Sequence, residues 1–361
     1  MKIAHINYIP YDNQIGVNKK IEAQAKAAIK VGLDIDFIIL NSFIEKQEEN
    51  LIYKKINESI LIKKLFRFNI IDKYVELKKY DYLILRYSDM DFSSLQFIFK
   101  YGNKVITEHH TDELAEILTS NSIFSGRYLI ERFFAPLFLK KSKAFIGVTN
   151  EIINVELNKC KCNKKTLLMS NGADVESIKF TKFKPFDGKE LNIIFVASFF
   201  ASWHGLNKIL DNLISYKGNI IINLYLIGDL SKSDIYKIKN INHPYINIYI
   251  KGRLYGDELD KVFAISTIAI STKKMIEACA LKTREYIARG IPFIYGYKDV
   301  DLNGDEKFAL KIDEFDINQV IEFAKNVSMK KDISFEMREF AKNNLDWKIK
   351  MNKLKYFIGD L

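Results

Sequence analysis

Glu277 and Glu285 stand eight residues apart in the stretch IEACALKTREYIARGIPFIYG (276–296), with Lys282 and Arg284 between them. An ionised carboxylate only accepts hydrogen bonds and can hold two hydroxyl donors at once, whereas the lysine adds a full positive charge for an anion. Taken alone the spacing is a common one, and Gly290 followed by Pro292 is the ordinary end of a helix leading into a strand. A second group is Glu108-His109-His110-Thr111-Asp112. These are metal-ligand types, but no HxxxH spacing is present, and a solvated histidine pair in a loop is the plain alternative. Asp34/Asp36, Asp89/Asp91 and Asp299/Asp301 are DxD pairs, in which two carboxylates one residue apart could share a divalent metal ion. The last pair opens the run DVDLNGDE, which imitates a calcium loop until its twelfth position, where Leu310 replaces the required glutamate. It reads as a polar loop.

These residues need elements to position them. Short β-rich apolar runs alternate with longer amphipathic stretches, which predicts strands at 2–8, 34–40, 81–87, 104–108 and 144–149. A helix over 19–31 puts Ile21, Ala25, Ala28 and Ile29 on one face. The alternation restarts after residue 190, with strands at 191–197, 220–227, 246–251, 268–271 and 291–295 and helices near 206–215, 257–264 and 282–289. The repeated order of strand, crossover and strand means an α/β chain with mainly parallel sheets covered on both sides. Two doubly wound, Rossmann-like units would face each other across a cleft at the carboxyl ends of their strands, where such sheets bind ligands. The expected division is 1–180, 190–345 and a tail, 346–361, packing back on the first domain. Residues 180–189, with Pro185, Gly188 and clustered charge, read as the linker. Residues 317–358 are helical by pattern.

The series Glu277, seven residues, Glu285, then Ala288, Gly290, Ile291 and Pro292 resembles the donor-site signature of retaining glycosyltransferases of GT-B architecture, especially glycosyltransferase family 4. The resemblance implies a nucleoside diphosphate sugar, UDP- or GDP-linked, as substrate, with no cofactor and no metal. Glu285 would hold the ribose hydroxyls, Glu277 would approach the transferred sugar, and the helix start at Leu281 and Lys282 would face the diphosphate. A second match lies in FVASFFASWHGLNKIL (195–210), where His204-Gly205 stands at the family's Lys-Gly position. Ser198 and Phe199 occupy the place of its usual Arg. Either His204 is protonated beside the phosphates, or Lys282 and Arg284 supply the missing cations; a helix-capping turn with a packed Trp203 is the plain alternative.

Further along the same resemblance, Gly228 in LIGDL and Gly252-Arg253 in IKGRL correspond to nucleotide-contacting loops. As bare sequence, glycine after a strand is simply the default turn residue. In YDNQIGVNK (11–19), Gly16 corresponds to the glycine whose backbone approaches phosphate or acceptor. The absence of GxGxxG there argues against a nicotinamide enzyme. His110 is implied at the donor sugar or acceptor, and Asn171-Gly172-Ala173-Asp174 resembles a turn at the interdomain crossover.

Composition bounds the rest. The chain has 361 residues, 48% of them hydrophobic, which is ample for two cores and excludes a disordered chain. Three cysteines are too few for a disulfide framework, so reduced thiols in a cytosolic protein are expected. The first ten residues lack a secretory signal's layout, and every apolar run is broken well before the roughly 18 residues a membrane span needs. Residues 1–184 carry 29 Lys+Arg against 22 Asp+Glu, and the remainder 26 against 23. A basic first half suits an anionic partner, or it is a solvated lysine-rich surface. No Arg-rich tract or zinc-finger spacing is present, which argues against nucleic acid. The aromatic and basic stretch 124–142 reads as a crossover helix packed on the first sheet, with a peripheral patch for anionic membrane as the sharper alternative. Lys63, Lys64, Phe66 and Arg67 form a second membrane-patch candidate.

The resulting expectation is a retaining glycosyltransferase of bacterial capsule, lipopolysaccharide or exopolysaccharide synthesis. It would transfer to a glycan or lipid-linked glycan, in the cytoplasm or at the inner face of the plasma membrane. The alternatives are a non-catalytic GT-B partner or chaperone of such an enzyme, and a UDP-sugar epimerase of the same fold.

Overall fold

The computed structural model describes residues 1–8, 15–40, 45–120, 123, 125–272 and 277–361. The chain divides into two compact units, Met1–Ser170 with Trp347–Leu361, and Asn171–Asp346.

In the first unit the described residues form a sheet of eight strands. They are β1 (Ile3–Tyr8), β2 (Ile35–Leu40), β3 (Lys46–Glu48), β4 (Leu51–Lys54), β5 (Tyr82–Arg86), β6 (Val105–His109), β7 (Ala144–Gly147) and β8 (Lys165–Leu168). Their order is β3-β4-β2-β1-β5-β6-β7-β8, parallel throughout except between β3 and β4. The central strands are apolar on both faces because helices cover both: Ile3, Ala4, Leu83, Ile84, Val105, Ile106, Ala144 and Phe145 are fully buried. From β1 the chain winds first toward β2 and then back toward β5, so the strand order reverses between β1 and β5.

The helix Trp347–Gly359 belongs to this unit and lies against the helix Ile15–Lys30. It buries Trp347, Met351, Leu354 and Ile358 against a core that includes Ile21, Ala25 and Ala28. Ile29, placed by sequence periodicity on that same face, is 46% exposed.

The second unit has a parallel sheet in the order β11-β10-β9-β12-β14-β16. Its strands are β9 (Glu190–Phe199), β10 (Ile221–Asp229), β11 (Ile246–Gly252), β12 (Ile268–Ser271), β14 (Phe293–Tyr295) and β16 (Ala309–Lys311). The two-residue strands β13 (Glu277–Ala278) and β15 (Lys298–Asp299) pair apart from it. Here the reversal falls between β9 and β12.

Residues 180–189 form no regular element, yet they are pinned to the second unit. Thr181 and Lys182 donate backbone N–H groups to Arg289 O, and Lys184 donates its own to Ser266 O. In the stretch 124–142, Phe124 lies outside the described residues. The rest forms the helix Gly126–Lys141, which buries Glu131, Ala135, Phe138 and Leu139 while Phe133 is 68% exposed. The helix Ile60–Leu65, which carries Lys63 and Lys64, has no buried residue. Arg67, grouped with it by sequence as a lipid-facing cation, instead holds Asp89 and Asp91. Cys160 and Cys162, expected as reduced thiols, are bonded to each other across Lys161, whose left-handed conformation (φ 48°) turns the chain back at the helix end. Among the described residues no helix is long and apolar enough to cross a membrane.

Candidate functional site

In the second unit the loops leaving the carboxyl ends of the strands carry most of the residues singled out by sequence. β9 runs into a tight turn, Ser202–His204, followed by Gly205 at φ +71° and the helix Leu206–Ile214. The helix forms because Leu206, Ile209, Leu210 and Leu213 fall on one buried face. His204 Nδ1 accepts the Ala201 N–H at 3.2 Å, which puts the ring proton on Nε2 and selects a neutral imidazole. A protonated His204 would have to give up that bond, so the turn works against the imidazolium considered from sequence. The His204 carbonyl accepts from Thr272 Oγ1 at 2.6 Å, tying this loop to the end of β12.

Gly228 is required by contact. At its φ of +129° a Cβ would lie 1.7 Å from Ala197 O, where β9 and β10 shift register. Arg253, just past β11, pairs with Asp229 at the end of β10 at 2.5 Å, with both side chains partly exposed.

The helix Leu281–Arg289 begins at Ala280, which offers no side-chain cap, and ends at Gly290 at φ +80°. Its first N–H groups therefore have no capping side chain, and they add to the positive end of the helix dipole. Lys282 extends over Phe195 of β9, its Nζ 4.9 Å from the ring centroid. Tyr286 OH accepts from Val196 N at 3.3 Å and donates to Ile270 O at 3.1 Å, fixing the helix against β9 and β12 where the strand order reverses. Glu285 accepts from Arg289 Nε at 2.9 Å, one turn on. Glu277, only 4% exposed, lies in β13 with Lys298 Nζ 3.4 Å from Oε1. The residues before it, 273–276, lie outside the described set.

Arg284 differs from the expectation of a phosphate-facing cation. Its guanidinium is buried and bound to Asp299 and Asp301, while Nε donates to Asn171 O at 3.1 Å. Burial opposes its charge, but Cys279, Asp299 and Asp301 more than offset that and hold its pKa above the usual value. The Asp299/Asp301 pair, read from sequence as part of a polar loop, is the counter-ion of Arg284. The turn at Asn171 is locked to the same knot by Asn171 Nδ2 donating to Cys279 O at 2.6 Å.

In the first unit, Gly16 lies exposed in the first turn of the helix Ile15–Lys30; the rest of its loop, residues 11–14, lies outside the described set. One turn on, Lys20 Nζ is 3.5 Å from Oε1 of the fully buried Glu108. His110 Nε2 is 3.3 Å from the same oxygen, and His5 Nε2 is 2.8 Å from Oε2. Burial alone would raise the Glu108 pKa; the charge of Lys20, with the hydrogen bond from His110, outweighs it and holds the pKa well below the usual carboxylate value. His110 is pushed down to about 3 by burial and by the charges of Arg86 and Lys20, so it stands neutral. His109 turns the other way, into the core, where burial takes it down to about 4. It meets Glu113, raised to about 8, and Glu156, also raised, both by burial.

Sequence reasoning singled out Glu277, Lys282, Glu285, His204 and His110; Thr272, Tyr286, Arg86 and Lys20, which the structure sets beside them, it did not name. Arg86 is placed beside Glu108 by the β5–β6 register, which a single sequence does not contain.

No protein-family model and no curated protein sequence matches the chain. Solved structures do match over its whole length. Sucrose-phosphate synthase from Thermosynechococcus elongatus superposes with a TM-score of 0.70 at 12% identity, covering 100% of this chain and 99% of that one. A glycosyltransferase from Rickettsia africae gives 0.66 at 17%, covering 99% and 98%. HepE from Anabaena, solved in complex with UDP-glucose, gives 0.66 at 11%, covering 100% of both chains. At these identities the likeness is one of fold, and the fold is GT-B.

Proposed function

We propose that the chain is a retaining glycosyltransferase that moves a sugar from a nucleoside diphosphate donor to a glycan or lipid-linked glycan. The observation that carries the reading is the helix Leu281–Arg289, whose uncapped start and Lys282 lie beside the reversal of strand order, with Glu277 four residues before it. The diphosphate is assigned to that helix start and to Lys282, the ribose hydroxyls to Glu285, and the transferred sugar to Glu277. His204-Gly205, Gly228 and Arg253 are assigned to the same donor. Neutral His204 contributes a hydrogen bond rather than a charge. In the first unit, Gly16 and His110 are the proposed contacts on the acceptor side.

The acceptor hydroxyl oxygen forms the new bond to the anomeric carbon as the bond to the diphosphate breaks, and its proton leaves with the diphosphate. Stabilising the departing charge is the largest protein contribution expected. That HepE was crystallised with UDP-glucose makes this compound the first donor to try. A bacterial surface-polysaccharide pathway, with the protein at the cytoplasmic face of the membrane, is the setting this substrate class favours. The exposed Ile60 and Leu61 beside Lys63 and Lys64 supply an apolar and basic patch for peripheral contact.

Calorimetric titration with UDP, GDP and UDP-glucose, followed by measurement of nucleotide release, tests the assignment. In the E285A variant the donor constant is expected to rise by about tenfold or more, the cost of one lost charged hydrogen bond. Unchanged donor kinetics would remove Glu285 from the site. Binding without release of nucleoside diphosphate favours the non-catalytic partner, and an altered sugar still joined to UDP favours the epimerase.

A further inference from the structure

Behind His110, in the interior of the first unit, three acceptor atoms point at one another. His109 Nδ1 is 4.0 Å from Glu113 Oε2 and 3.8 Å from Glu156 Oε2, and all three atoms lie within 4.8 Å of one another. Their residues are 1%, 7% and 0% exposed, and among the described residues none of the three atoms has a hydrogen-bond partner. Lone pairs converging in a dry core repel unless something positive lies between them.

The surroundings are arranged in the same sense. His109 Nε2 is 2.8 Å from Thr107 Oγ1; with the proton on Nε2, that contact fixes the ring and turns the Nδ1 lone pair into the cluster. Tyr87 lies against the imidazole, with ring centroids 4.3 Å apart and planes tilted by 31°, and covers one side of the site. Lys159 occupies the far oxygen of Glu156, Oε1, at 2.9 Å and lies 3.9 Å from Glu131 Oε1. Glu131 is otherwise engaged by Tyr87 OH and by Met90 N–H. Three carboxyl groups thus face a single ammonium, and with all three ionised, as a bound ion would make them, the excess is the charge of one divalent cation.

We infer that His109, Glu113 and Glu156 form a buried site for a divalent transition-metal ion, with zinc the best fit to one imidazole nitrogen and two carboxylate oxygens. Bonds of about 2.1 Å in tetrahedral geometry put ligand atoms roughly 3.4 Å apart, so closure asks for a contraction of about half an ångström at each His109 pair and of at most about 1.4 Å between the two carboxylate oxygens. A fourth position remains for water. Calcium fits less well, since it takes six or more oxygens and has no preference for imidazole. The ion would join the end of β6, the start of the helix Glu113–Ser120 and the helix Asn150–Cys160. Its role is to hold these elements together, and it does not depend on the donor site in the second unit.

The experiment uses full-length protein treated with a chelator and then titrated with Zn²⁺ against a chromophoric competitor, with melting curves recorded alongside. One equivalent is expected to bind and to raise the melting temperature, and Co²⁺ in its place should give visible absorption of a low-symmetry site. H109Q and E113Q should each weaken binding by at least about tenfold and abolish the rise in melting temperature. E113Q has a neutral amide in the core, so it should melt no lower than the metal-free parent, which separates loss of binding from loss of fold. Absence of stoichiometric binding overturns the inference and leaves a proton shared among the carboxyls. Binding that persists in both variants overturns it too, since the ion would then reside elsewhere, for instance on cysteine.

Discussion

Lys282 and Arg284 lie two residues apart at the start of one helix, and partners rather than residue type separate them. Arg284 is enclosed and matched to Asp299 and Asp301, so removing it strands two carboxylates in the interior. The R284M variant is expected to lose about 3–5 kcal/mol of stability in denaturant melts, the usual cost of breaking a buried ion pair from one side. Lys282 packs on Phe195 at the helix start. K282A should change stability by no more than about 1 kcal/mol but lower turnover on the order of 10², as loss of a group that stabilises the departing charge does. If K282A turns over normally, the phosphate assignment falls, whatever R284M does. The motif was legible in the sequence at this scale. Which of its cations is matched by carboxylates was not, because Asp299, Asp301 and Asn171 reach the helix only through the fold.

At the scale of elements, the charged joints hold the crossover segments. Asp89, in the segment after β5, takes Arg67 from the helix Arg67–Tyr74 and Arg127 from the helix Gly126–Lys141. Burial would raise the Asp89 pKa, but the charge of Arg67 and the hydrogen bond from Arg127 prevail and hold it below the ordinary carboxylate value. A depressed folded-state pKa contributes stability that is present above the unfolded value, near pH 4, and is lost as pH falls through the folded value. Denaturant midpoints of the parent and D89N should therefore differ at pH 7 and converge below about pH 4; a pH-independent gap would rule out this charge effect. The long strands and most amphipathic helices were readable to within a residue or two, whereas the helix read at 19–31 starts four residues earlier, at Ile15. Missed were the short ones, β3, β4, β8, β13, β15 and β16, which are too brief to show any periodicity.

Across the whole molecule, each unit has its own cores and its own tryptophan, Trp347 in the first and Trp203 in the second. The first unit is closed by the last helix of the chain, with Leu354 1% exposed against residues more than 300 positions away, such as Ile21. In a W203F background, where Trp347 alone reports, L354A should lower the unfolding free energy by about 2–5 kcal/mol, the cost of a leucine-sized cavity. An unmoved midpoint would mean that this helix adds little to the first unit. A tail of helical pattern was foreseeable from periodicity. The 170/171 limit of the units was not, because residues 180–189 look like a linker and are in fact bound to one side.

Local order fixed by side-chain period and by turn residues was already present in the linear chain: alternating strands and helices, two parallel sheets, the Glu277–Glu285 spacing, and helices ending at glycine. Those properties depend on neighbours a few positions apart, and a single sequence contains them. The tertiary structure alone decided which charges are matched and which acceptors converge. Glu108 meets His5, Lys20 and His110, and His109 meets Glu113 and Glu156, through strand register and helix packing. Electrostatic energy acts through space at a few ångströms, so it is set by residues the fold gathers from distant parts of the chain.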